Sequence, residues 1–333
     1  MTETSDLSPR QQRLRRVSTS EVGMHTLPEA VPPAGSDDEA QYGMAGDARG
    51  QLATVARRFI HSPMAVIGLC IFFGLAVAAI LTEMFWTYSY TSITNTLNAP
   101  PSLAHPMGTN SIGGDVFAQA MHGTLQDIEI ALVVAVLATF IGSTVGAIAG
   151  FYRGTTDTAL MRFVDLILVI PVLAILIVLA HIVAKQASNW LWLAIIIGAV
   201  SWTYVARLVR ADFLSLRERD FVEASRALGA SNRRIIVRHM LPNALGPIIV
   251  NATITVALSI VLESTLSYIG LGIQPPNVSL GLLVDQGQDS ATTEWWLFVF
   301  PVVILVVLIL SIFFIGDGLR EALADEEPGT RLT

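Results

Sequence analysis

Lysine is almost missing from this 333-residue chain, which has nineteen arginines and a single lysine, Lys185. A phosphate-gripping P-loop needs G-x-x-x-x-G-K-[ST], because its backbone amides and its lysine together cradle the phosphates. Lys185 follows His181-Ile182-Val183-Ala184 and no glycine-rich turn, so no ATP site of that kind is written here. Cysteine is equally scarce. Cys70 stands alone inside an apolar run, which excludes an internal disulfide and a cysteine-based metal site. Charge is thin as well, at 14% of residues, against about 25% in a soluble domain. No Ser-His-Asp set or paired carboxylates stand together, and His181 and His239 lack ligand-type neighbours at metal spacing. Neither a catalytic site nor a resident metal is expected. The net charge of -7 says little, since much of the excess acid falls in the first 48 residues.

What the chain does have is apolar length. Hydrophobic residues make up 53% and the mean hydropathy is +0.59. Six apolar segments lie at 64–86, 128–150, 160–184, 190–209, 244–270 and 295–316. Each is long enough to cross a hydrocarbon layer of about 30 Å as a helix. The expected fold is therefore all-α, a polytopic membrane protein with six transmembrane helices.

Arginine placement gives the orientation. Arg10, Arg13, Arg15, Arg16, Arg49, Arg57 and Arg58 precede the first segment, and residues 87–127 hold no Lys or Arg. Arg153 and Arg162 mark the next loop, and the one after it carries only Lys185. Arg207, Arg210, Arg217, Arg219, Arg226, Arg233, Arg234 and Arg238 crowd between segments four and five. Residues 271–294 again have none, while Arg320 and Arg331 follow the last segment. Loops alternate rich and poor, which places both termini in the cytoplasm.

Four parts follow along the chain. Residues 1–50 are rich in Ser, Pro, Gly and charge, a composition that cannot bury enough apolar surface to offset chain entropy, so a disordered cytoplasmic tail is expected. No apolar stretch follows the early arginines closely enough for a cleaved signal peptide. Residues 51–127 hold the first span and an external loop, 128–320 the other five spans, and 321–333 a cytoplasmic tail.

Within the core part, residues 212–242 form the longest cytoplasmic loop and the most patterned one. Asp220 is expected to cap a helix with Glu223 in its first turn. Phe221, Val222, Ala224, Ser225 and Leu228 give that helix a small apolar face, and Gly229 suits a left-handed stop. Ser231 is expected to cap a second short helix ending before Pro242, at about a right angle to the first. The result is a knob suited to docking in a protein groove, the alternative being an amphipathic segment lying on the membrane.

Glu223-Ala224-Ser225, three residues, Gly229, then nine residues and His239-Met240-Leu241-Pro242 resemble the EAA loop of bacterial ATP-binding cassette (ABC) importer permeases. The family pattern has a second alanine where Ser225 stands and an isoleucine where His239 stands. Further stretches resemble the dipeptide/oligopeptide branch, specifically its "C"-type subunit. They are Arg57-Arg58-Phe59-Ile60-His61-Ser62-Pro63, His105-Pro106-Met107-Gly108-Thr109-Asn110, and Asp157 to Asp165 with Pro171. Leu266-Ser267-Tyr268-Ile269-Gly270-Leu271-Gly272 and Gly316-Asp317-Gly318-Leu319-Arg320-Glu321 continue the series, so the likeness covers 57–325. It implies a type I ABC importer permease fold in a bacterial cytoplasmic membrane. It also implies that Glu223, Ala224, Ser225, Leu228 and Gly229 seat in an ATPase subunit. The implied partners are a second homologous permease, two ATPase chains that bind ATP and Mg, and an extracytoplasmic substrate-binding protein. Peptides are the implied substrate, and no nucleic acid is involved. Relatives of this type also carry nickel chelates, glutathione-like molecules and sugars, and an ion-coupled carrier is a more remote reading. The external loop departs from the family pattern, with Asn110, Gly114, Ala118 and Gln119 where an acid, an arginine, a serine and an arginine are usual.

Segment five carries Asn251, Thr255, Ser259 and Glu263 four residues apart, a gently winding polar stripe on one helix face. Such a stripe avoids lipid. It serves either as the wall of a peptide path or as hydrogen-bonded glue between helices, and Glu263, near the external end, fits a structural partner as well as a peptide amine. Asp157, Arg162 and Asp165 are read as structural groups at a cytoplasmic helix start.

Overall fold

The computed structural model describes residues 48–184 and 190–324. The tail at 1–47, Lys185 and the last residues, 325–333, lie outside them. The chain divides into Met1–Gln51 and Leu52–Thr333, and the fold is that of the second unit. Its helices are α1 (Ala48–His61), α2 (Pro63–Phe85), α3 (Val116–Tyr152), α4 (Gly154–Val169) and α5 (Val172–Ala184). They continue as α6 (Trp190–Leu216), α7 (Asp220–Ala227), α8 (Asn232–Tyr268), α9 (Leu280–Gln288) and α10 (Trp296–Ala324). Among the described residues, five helices are long and apolar enough to cross a membrane, and a sixth crossing exists if the bent pair α4–α5 counts as one.

That pair corrects the expectation of a single helix over 160–184. The chain bends by 82° between Val169 and Val172. Pro171 lacks the amide that would continue the ladder, and it pushes Ile170 to extended angles, φ -81° and ψ 131°. α3 likewise begins well before 128. Asp115 caps it, its carboxylate accepting from the Ala118 amide at 2.7 Å, so the last part of the expected loop, 116–127, is helix.

α3 and α6 form the tightest pairing, and the sequence shows why. Gly142, Gly146 and Gly150 recur every four residues along one face of α3. A Cβ at any of them would stand 2.5 or 2.6 Å from Val205, Ala206 or Phe213 of α6. Small residues let the two backbones meet, and the contact replaces the hydrophobic drive that lipid cannot supply. First and last spans pair in the same way, with Gly68 of α2 against Ser311 and Phe314 of α10 and Gly318 of α10 against Ala65 of α2.

α8 brings a second correction. The helix expected to stop before Pro242 runs on through Pro242 and Pro247 to Tyr268. A π-helical turn, Ile235–Met240, lies immediately ahead of Pro242. The wider turn shifts the hydrogen-bond ladder where the proline has no amide to give, so the helix bends its register and does not end.

On the external side α9 packs against α8 and α10. The loop ahead of α3 is tied by the buried pair of His105 Nδ1 and Asp115 Oδ2, at 2.6 Å.

Candidate coupling surface

α7 sits between α6 and α8 on the cytoplasmic side. Its N-cap is Arg219, and Asp220 is its first residue and makes no capping bond, which corrects the capping box. Asp220 and Glu223 still lie in the first turn, where carboxylates face the positive end of the helix. The C-terminus closes as a Schellman motif. Gly229 N–H donates to the Arg226 carbonyl at 2.9 Å and Ala230 N–H to the Ser225 carbonyl at 3.0 Å. That closure needs the left-handed φ of +76° that Gly229 adopts. Ser231 precedes the next helix without a side-chain capping bond.

One residue of α7 faces inward. Val222 is fully buried in a cluster with Phe151 of α3, Phe213 of α6, and Ile235, Met240 and Ala244 of α8. The other face is open: Glu223, Ala224 and Gly229 are exposed, Ser225 is half-buried, and Leu228 is 88% exposed. An apolar side chain is thus held out at a helix end, beside a carboxylate and small residues, and is left uncovered by the described residues.

Arginines fasten α7 to α3. Arg226 lies over the Phe151 ring, 5.6 Å from its centroid, and Arg217 lies 5.9 Å away. Arg217 also donates to the Phe151 carbonyl at 2.5 Å, and Arg153 pairs with Glu218. Burial, with Arg153 and Arg226 nearby, pulls the Arg217 guanidinium below its ordinary value. Beside this anchor Asp157 of α4 takes Arg210 of α6 through both oxygens, at 2.5 and 2.7 Å. Asp165 takes Arg207 at 2.5 Å. These acids bridge two helices, the structural use expected of them.

The polar stripe of α8 points into the chain. Asn251, Thr255, Ser259 and Glu263 are all buried. Asn251 donates to the Pro247 carbonyl, Thr255 to that of Asn251 and Ser259 to that of Thr255, at 2.6 to 2.8 Å. Glu263 accepts from Ser267 Oγ at 2.6 Å. In the external loop, Asn110 Oδ1 accepts the Gly114 amide at 2.7 Å, and Asn110 Nδ2 donates to Gln119 Oε1 at 3.2 Å. Three of the four departing positions thus bond to one another.

Val222, Phe151 and Arg226 were not singled out as a unit from the sequence. The signal was present in the hydrophobic face of α7, but its partner lies far away at the end of α3. Asp127 was missed too, although a carboxylate at the edge of an apolar run is a visible oddity.

Residues 142–325 match the model of the binding-protein-dependent transport system inner membrane component, and residues 50–101 match that of the N-terminal TM domain of oligopeptide transport permease C. The chain belongs to the binding-protein-dependent transport permeases. Such a chain is a multi-pass inner-membrane protein and a transport subunit, as the apolar helices require. It is 41% identical to the oligopeptide transport system permease protein OppC of Mycobacterium tuberculosis, over 83% of this chain and 94% of that one. It is 38% identical to a putative peptide permease protein of Brucella suis, over 82% and 90%. Among solved structures, the inward-facing MetNI methionine ABC transporter is similar, at TM-score 0.52 and 22% identity over 63% of this chain and 97% of that one. That likeness shows a shared permease fold of the type I importer class.

Proposed function

We propose that this permease forms half of a path for peptides and is driven by ATPase chains that dock on α7. The observation that carries the reading is the open face of Glu223, Ala224, Leu228 and Gly229 on a helix whose opposite side, Val222, is locked to three spans. A push on the open face reaches α3, α6 and α8 together. The similar chains, an oligopeptide permease and a putative peptide permease by name, support peptides as the cargo. ATP and Mg belong to the partner chains, because this sequence has no P-loop. A second, homologous permease completes the path, and an extracytoplasmic binding protein delivers the peptide to the arginine-free external face.

Asn251, Thr255 and Ser259 are packed inside this conformation, so they reach the peptide only when α8 parts from its neighbours. The test is co-purification of the tagged chain in mild detergent. A second six-span permease and a Walker-motif ATPase in the eluate support the reading. A chain that purifies alone and moves solute in liposomes without ATP rejects it.

A further inference from the structure

Where α3, α8 and the external segment meet, two acids are buried against each other. Asp127 and Glu263 are both fully buried, and their carboxyl groups lie within hydrogen-bonding reach. Around them the described residues supply neutral donors. Ser267 Oγ donates to Glu263 at 2.6 Å and Ser264 Oγ at 3.4 Å, and the Ser279 hydroxyl reaches the same carboxyl. The Leu280 amide donates to Asp127 Oδ2 at 3.3 Å. Asp127 Oδ1 has no hydrogen-bond partner.

Among the described residues no cation balances the pair. Residues 87–127 and 271–294 contain no Lys or Arg. Among the described residues, the charged group that acts on Asp127 is Glu263 from α8. Two carboxylates in contact without a counter-ion repel each other, and burial deprives both of water. A hydrogen placed between them removes the repulsion and supplies the donor that Asp127 Oδ1 otherwise lacks.

We infer that Asp127 and Glu263 form a proton-binding site that holds one proton between two carboxyls and so fastens α9 to the spans. The junction is built for closeness. Gly281, at the start of α9, lies so near α8 that a Cβ would stand 2.5 Å from the Ser264 backbone. Ser279 caps α9, accepting the Leu282 amide at 3.3 Å, while its hydroxyl also serves Glu263. The shared proton therefore joins α3, α8 and the cap of α9 in one hydrogen-bonded set. Closing the junction takes up a proton, so rising pH favours its opening.

Infrared spectroscopy of the full chain, purified with the subunits that accompany it, tests this. The difference spectrum between wild type and Asp127→Asn at neutral pH is expected to show one protonated-carboxyl C=O band. The band shifts in D2O and disappears as pH is raised. Asp127→Asn keeps a donor toward Glu263, so its thermal midpoint is expected to lose the alkaline fall of wild type. Glu263→Gln gives the same loss of band and serves if Asp127→Asn does not fold. Absence of the band in wild type overturns the inference. So does a wild-type midpoint that rises in sodium over N-methylglucamine at alkaline pH, since a metal cation would then hold the pair.

Discussion

The guanidinium of Arg226 lies 5.6 Å from the centroid of the Phe151 ring, which joins the helix proposed to meet the ATPase to the cytoplasmic end of α3. Arg217 shares the same ring and holds the Phe151 carbonyl. Phe151→Leu keeps a buried apolar side chain but removes the ring that both arginines face. Each cation–π contact contributes about 0.5–1 kcal/mol at such a site. Reduced peptide stimulation of ATPase activity is expected, with normal membrane insertion. Unchanged stimulation would show that Val222 alone carries the link.

The docking face can be removed without touching that anchor. Glu223→Ala takes away an exposed carboxylate, and Gly229→Asp forces a side chain onto a φ of +76°, at a cost of about 1–2 kcal/mol. Both variants are expected to insert normally, while ATP hydrolysis is uncoupled from uptake. Normal uptake with either variant speaks against docking through α7.

Glycine packing gives a stability contrast. A Cβ at Gly146 would stand 2.5 Å from the Ala206 carbonyl oxygen, whereas Gly74 has open space around it. Gly146→Ala is expected to lower stability by about 1–3 kcal/mol, as overpacking does. Gly74→Ala is expected to raise it by roughly 0.5–1 kcal/mol through helix propensity. Thermal unfolding of the two purified variants checks both signs.

Much of this fold was legible in residue order. The spacing of apolar runs placed the spans, because lipid acts on composition alone. The open face of α7 and the left-handed Gly229 were equally readable, since both follow from local pattern. The break at Pro171 and the passage of α8 through Pro242 were not. A proline either bends or ends a helix, and the neighbours and the π turn that decide between these are not local. The meeting of Asp127 and Glu263 is of the same kind, since 136 positions separate them in the numbering.

The stripe on α8 predicts a state dependence. In a Cys70→Ser background, cysteines at 251, 255 and 259 are expected to resist small hydrophilic thiol reagents in one nucleotide state and react in another. Inertness in every state assigns Asn251, Thr255 and Ser259 to helix packing alone.

The central claim is that α7 is the surface on which an ATPase seats. Leu228→Cys in the Cys70→Ser background puts a thiol at the most outward point of that surface, with Leu103→Cys on the external loop as the control. Short bifunctional cross-linking of the purified assembly, followed by mass spectrometry, is expected to join position 228 to a Walker-motif ATPase chain and leave position 103 unlinked to it. An assembly that contains the ATPase but never links it to position 228 would contradict the account.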